Sequence, residues 1–262
     1  MINKIIYYYQ TFTGLHSILN NPITTTHIIV SSIHFGKDNK QTPYIHLNNY
    51  KPDNKQFISV WNECKQAHDK GITIMIMVGG AGGAYEVLFS NFELYYPMLK
   101  KLIQTYPYIK GIDLDIEESV SIKNVKKLIN QITMDFGKEF IISMAPIASS
   151  LTSNYPGLGG FIYKDLIQSP EGQLINWFNG QFYFQYTKDI YDNCILNGYK
   201  PEQIVFGMIA NIYDFDDALE EIKLIKQQYP TFGGVFVWEY FNCPPDPKNP
   251  NKWSELISKQ LQ

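Results

Sequence analysis

The sequence predicts a single (β/α)8 barrel over residues 1–262, and three observations carry that prediction. Eight short runs rich in β-branched and aromatic residues alternate with helix-period segments along the whole chain, the pattern of parallel strands joined by crossover helices. A length of 262 residues suits one such barrel, although length alone would equally admit two smaller domains. One of the eight runs, Gly111 to Glu117, carries an acidic residue at every second position, where a strand buried on both faces should read as almost unbroken apolar residues.

The first run is Lys4 to Tyr9, two isoleucines followed by three tyrosines, and the second, His27 to Ile33, is similarly β-branched. A helix-period segment with Phe57, Val60, Trp61 and Cys64 on one face leads to the third run, Ile72 to Val78. The acidic run Gly111 to Glu117 comes fourth and is followed by the clearest amphipathic stretch, Ile122, Val125, Ile129 and Ile132, with Gly137 placed to end that helix. Phe140 to Pro146, Asn179 to Gln185 and Ile204 to Ile209 are the fifth to seventh runs. A single helix-period segment from Asp214 to Tyr229, carrying Ala218, Leu219, Ile222 and Ile225, then separates the seventh run from the eighth, Gly234 to Glu239. Pro244-Pro245-Asp246-Pro247 has the composition of a linker, but only 15 residues follow it, so it should lead into a closing helix. An open, doubly wound sheet has less support, because no GxGxxG loop follows the first run.

Composition narrows the function classes. A chain 45% hydrophobic and 18% charged can bury a large core, and a net charge of -3 argues against nucleic acid as a partner. Every basic residue is lysine, from which no mechanism follows. Cys64, Cys194 and Cys243 are few and widely separated, which points to buried or free thiols rather than a disulfide framework or a zinc site. The histidines form no ligand spacing, and His27 and His34, in or beside the second run, are expected to be hydrogen-bonded structural residues; neither a metal nor an organic cofactor is expected. Met1 to Ile6 offers neither a signal-peptide core nor a cleavage site, and no apolar run reaches membrane-spanning length. The expectation is therefore a cytoplasmic, monomeric protein without a membrane partner, with unconventional export or particle packaging left open.

In the acidic run, strand alternation places Asp113, Asp115 and Glu117 on one face and Ile112, Leu114 and Ile116 on the other. Neighbours on that face are about 7 Å apart, so three carboxylates inside a barrel would crowd a space of low dielectric. Repulsion and burial should then raise at least one of their pKa values. Glu117 lies nearest the C-terminal end of the strand, where barrel active sites are built, and is the expected general acid.

The segment resembles the DxxDxDxE signature of glycoside hydrolase family 18. Further stretches resemble the same family in the same order: Met77-Val78-Gly79-Gly80 its SxGG strand, Met144-Ala145-Pro146 its MAP strand, Gln181-Phe182-Tyr183 its QxY strand, and Gly233-Gly234 through Trp238 its closing tryptophan strand. Narrower phrases, Asp135-Phe136-Gly137 and Trp238-Glu239-Tyr240-Phe241-Asn242 among them, are similar to fungal endo-β-N-acetylglucosaminidases and their chitinase relatives. Three positions depart from the pattern: Lys110 stands at the first signature aspartate, Met77 at the serine, and Phe184 where relatives often carry asparagine.

The resemblance implies substrate-assisted hydrolysis of β-linked N-acetylglucosamine, with Glu117 as acid, Asp115 holding the acetamido nitrogen, Asp113 sharing a proton with Asp115, and Tyr183 aligning the acetamido oxygen. It places Gln181 beside that pocket, Trp238 beneath the sugar, and Gly79 and Gly80 where the backbone must approach closely. Tyr8 and Met144 are weaker candidates for the pocket wall, since Tyr7 and Tyr9 leave the phase of the first run open. The expected partner is a GlcNAc-containing oligosaccharide or N-glycan. Cleavage of the N-glycan chitobiose core is the first reading, a chitinase the second, and a non-hydrolytic glycan-binding protein the third.

Overall fold

A computed structural model describes residues 3–210 and 215–262. Eight parallel strands close into a barrel: β1 (Lys4–Tyr9), β2 (His27–Lys37), β4 (Thr73–Gly79), β5 (Ile109–Asp115), β6 (Ile141–Met144), β7 (Trp177–Gln181), β8 (Ile204–Ile209) and β9 (Gly234–Trp238). The ring shuts where β1 pairs on one side with β9 and on the other with β2. The ninth strand, β3 (Pro43–Leu47), was not expected. It folds back antiparallel on an extended β2, with Ile33 opposite Leu47 and Lys37 opposite Pro43, and raises a hairpin above one side of the barrel mouth.

Alternation along each strand divides the core in two. Ile6, Tyr8, Ile29, Met75, Met77, Trp177, Val205 and Phe236 fill the barrel, each worth about 1.5–3 kcal/mol of burial. Ile112, Leu114 and Ile116 belong to the larger layer between strands and helices, as their phase required. The three expected amphipathic helices are Ile58–Asp69, Ile122–Phe136 and Phe215–Gln228, the second capped by the Ser121 hydroxyl and ended by Gly137 at a φ of 84°. Asp214, the expected first residue of the third, lies outside the described residues.

After the proline-rich connector the helix Asn251–Gln260 closes the chain against β1: the Tyr7 hydroxyl donates to Pro250 O at 2.7 Å and its ring meets Trp253 edge-on. Cys64, Cys194 and Cys243 are buried free thiols. Among the described residues no helix is long and apolar enough to cross a membrane.

The candidate active site

Asp113 sits wholly inside the barrel, 0% exposed. Three donors converge on its carboxylate: the Tyr8 hydroxyl at 2.8 Å, the Ser143 hydroxyl at 2.6 Å and the Asn179 amide at 3.0 Å. The Asn179 oxygen in turn accepts from the Trp177 indole at 2.9 Å. The network joins β1, β6 and β7 to β5, so a carboxylate in the barrel core is held from three other strands. Burial raises its pKa, and the three hydrogen bonds oppose that rise by favouring the charged form.

One repeat further on, Asp115 is 7% exposed and its pKa is pushed well above the carboxylate range, first by burial, then by the charge of Glu117 and that of Asp113. The rise is thus greater at Asp115, where the neighbouring charges add to burial, than at Asp113. Glu117 lies two residues past the end of β5, half-buried at the mouth. The Gln181 side-chain amide lies between the two, 3.4 Å from Asp115 and 3.3 Å from Glu117, and is itself anchored on Ala145 O at 2.8 Å. Tyr183 also stands past its strand. Burial, followed by the charge of Asp115, raises its pKa, which keeps the hydroxyl protonated as a donor.

Asp115, Glu117, Gln181, Tyr183, Trp238, Gly79 and Gly80 line one cavity of about 280 Å³, together with Met77, Gln10, Ser32, Ala81 and Ile209. Seven of the ten expected site residues thus meet in one place. Tyr8 does not line the cavity but supports it from below through Asp113 and by packing against Trp238, with ring centroids 5.4 Å apart. Met144 is a correction. It pairs with the outward-facing Leu114 and is buried in the layer beneath the helices, so the inward residue of that strand is Ser143.

The glycine pair has a strict geometric reason. Gly79 adopts a φ of 98°, and a Cβ there would stand 2.1 Å from Asp115 O, while the Gly80 amide donates to the same oxygen at 2.9 Å. Gly79→Ala should therefore destabilise the fold by about 1–3 kcal/mol through backbone strain and displace Asp115. Thermal melting checks it, and an unchanged melting temperature would contradict the close approach.

Of the departures from the signature, Lys110 and Phe184 lie outside the cavity, whereas Met77 is part of its lining. Lys110 is exposed at the far end of β5 and donates to Pro107 O at 2.8 Å. Met77 accepts from the Ser31 hydroxyl through its sulfur at 3.6 Å. Phe184 points out to solvent, 79% exposed, with a φ of 61°. That left-handed backbone suits asparagine, so an asparagine at this position has a conformational reason before any chemical one.

Sequence reasoning missed Ser143 and Asn179; Asn179 sits in phase with Gln181, two residues on, whereas Ser143 is out of phase with the expected Met144. It also missed a second cavity of about 490 Å³, lined by Gln10, Thr11, Ser32, His34, His46, Asn48, Asn49, Ala81 and Gly82. Gln10, Ser32 and Ala81 belong to both cavities, which therefore run together. His27 is structural as expected: its Nδ1 meets the Thr26 hydroxyl at 2.7 Å, and burial lowers its pKa to about 3. His34, by contrast, faces the second cavity.

A barrel that gathers carboxylates, an amide, a tyrosine and a tryptophan at the C-terminal ends of its strands has the make-up of a glycosidase. Residues 4–185 match the model of glycosyl hydrolases family 18, and the chain belongs to that family. It is a glycoside hydrolase of that family. The fold is similar to that of a fungal endo-beta-N-acetylglucosaminidase of the family, at 30% identity and a TM-score of 0.89, covering 100% of this chain and 99% of that one. It is equally similar in sequence to the chitinase ChiC of Aspergillus fumigatus, at 30% identity and a TM-score of 0.86 with 100% of both chains covered. A family 18 chitinase of Pseudoalteromonas aurantia, 18% identical with a TM-score of 0.77 over 99% of this chain and 100% of that one, shares the fold. Comparison with curated protein sequences finds no match.

Proposed function

We propose that the enzyme is an endo-β-N-acetylglucosaminidase that cuts between the two core GlcNAc residues of N-glycans, using the acetamido group of the sugar being cleaved. In this reading Glu117 gives its proton to the glycosidic oxygen as the bond from C1 to the leaving GlcNAc breaks. The acetamido oxygen, aligned by the Tyr183 hydroxyl, bonds to C1 and forms an oxazolinium ion. Asp115 accepts a hydrogen bond from the acetamido nitrogen and stabilises the positive charge developing there. Asp113 and Asp115, both with raised pKa, hold the site's spare proton between them. Water then adds to C1 and returns a proton to Glu117, which restores the acetamido group with retention of configuration.

The observation that supports an N-glycan is the second cavity. Its lining carries amides, hydroxyls and imidazoles, and no tryptophan, tyrosine or phenylalanine. Hydrogen-bonding groups suit hydroxyl-rich mannose branches, whereas a run of GlcNAc units is better served by flat aromatic platforms. Among the described residues only the helix Phe215–Gln228 lies between β8 and β9, so no additional domain walls the groove there. A second reading, a chitinase, has its own support in the 30% identity to ChiC.

Matched assays decide between them. On the first reading glycan is released from a denatured high-mannose glycoprotein, leaving one GlcNAc on asparagine, faster than chitotetraose is cut. A rate that climbs steeply from chitotriose to chitohexaose, with no glycan released, would replace the first reading with the second.

A further inference from the structure

Among the described residues the buried carboxylates are Asp113, Asp115 and Glu239, and the mechanism uses only the first two. Glu239 is 7% exposed, and none of the ion pairs formed by the described residues includes it. Its charge is held by the chain itself. One oxygen accepts from the amides of Gln10 at 2.8 Å and Thr11 at 2.7 Å, and the other accepts from the Thr11 hydroxyl at 2.7 Å. Hydrogen bonds to an ionised acceptor are the strong ones, and here all of them fall on one two-residue segment at the C-terminal end of β1.

That segment is the wall shared by the two cavities. Gln10 lines both, and the tie continues outward: the Asn48 side-chain amide donates to Gln10 O at 3.1 Å, and the Asn48 side-chain oxygen accepts from the Gln10 side-chain amide at 3.4 Å and from Ser32 N at 3.3 Å. On its other side Glu239 directly follows Trp238, the aromatic floor of the catalytic cavity. A single carboxylate thus couples the floor, the dividing wall and the β2–β3 hairpin.

We infer that Glu239 is a positioning residue for glycoside cleavage: its carboxylate fixes the Gln10–Thr11 backbone against Trp238, so that the junction of the two cavities is shaped before substrate arrives. The inference rests on the reading of the Glu117 cavity as the catalytic one. It follows that a chain lacking this carboxylate must order the segment when substrate binds.

The test compares Glu239→Ala and Glu239→Gln with the wild type by steady-state kinetics on chitotetraose and a high-mannose glycopeptide, and by amide hydrogen exchange without substrate. In Glu239→Ala, exchange at Gln10 and Thr11 should quicken while the rest of β1 stays protected. KM should rise about tenfold, because ordering the wall is then a part of substrate binding. Loss of folded enzyme would instead lower kcat and leave KM in place. Glu239→Gln, whose amide oxygen can still accept from both backbone amides, should keep KM within about threefold of wild type. Wild-type exchange and KM in Glu239→Ala would overturn the inference, as would a glutamine variant as impaired as the alanine one. Failure of the catalytic reading shows separately, as undiminished turnover in Glu117→Gln, and leaves the exchange result to judge the clamp.

Discussion

Glu117→Gln should lower kcat by about 10²–10⁴-fold, the range that a positioned general acid supplies. The amide keeps the shape of the glutamate and can still meet the Gln181 side chain, now 3.3 Å from the carboxylate, but it has no acidic proton to deliver to the leaving oxygen. Substrate affinity should therefore change little, and calorimetry with a chito-oligosaccharide should find binding within a few-fold of the wild type. Near-normal turnover in this variant would remove Glu117 from the role. The role would then pass to Asp115, the other carboxylate lining the cavity, since Asp113 is enclosed by its three donors.

Asp115→Asn should lower kcat by about 10²–10³-fold while raising the melting temperature at neutral pH. The activity falls because an amide carries no charge to stabilise the oxazolinium nitrogen. The stability rises for the reason that the aspartate is costly. Its pKa in the folded protein is raised by burial and by the charges of Glu117 and Asp113, so it binds its proton more tightly folded than unfolded. The stability it contributes is fully present below the unfolded value of about 3.9 and is lost as pH rises through the higher folded value. Asparagine cannot ionise, so its advantage should appear above that window and vanish near pH 3. Melting curves across pH 3 to 8 check the sign, and a variant less stable than wild type at pH 7 would show that Asp115 is better satisfied than its surroundings indicate. A more stable variant would make the site one more case where function is kept at the expense of stability.

The catalytic strand was legible because its signal is local. A period of two in Asp113, Asp115 and Glu117, set between isoleucines and leucine, assigns a face whatever surrounds it. The eight runs were legible for the same reason, since hydrophobic period is a property of a few consecutive residues, whereas the glycine pair was singled out by its resemblance to the family's SxGG strand. Strand ends were less so. Glu117 and Tyr183 were expected within strands but lie just beyond them, because the chain leaves the hydrogen-bonded ladder at the mouth, and neighbouring strands decide where the ladder stops.

What the sequence by itself determined is the barrel, the facing of its carboxylates and the family that both define. Tertiary structure decided everything that depends on two distant segments meeting. Tyr7, Tyr8 and Tyr9 are chemically alike, and only the pairing of β1 with β2 and β9 turns Tyr8 inward onto Asp113 and the other two toward the helices. Ser143 rather than Met144 faces the site because β6 takes its register from β5, with Ser143 beside Asp113. The second cavity needs Gln10 from just past β1, His34 from β2, His46 from β3 and Asn48 from just past it, and the Glu239 clamp joins residues 229 positions apart. Such contacts leave no periodic trace, because each partner satisfies its own local pattern, and only closure of the barrel brings the two within hydrogen-bonding distance.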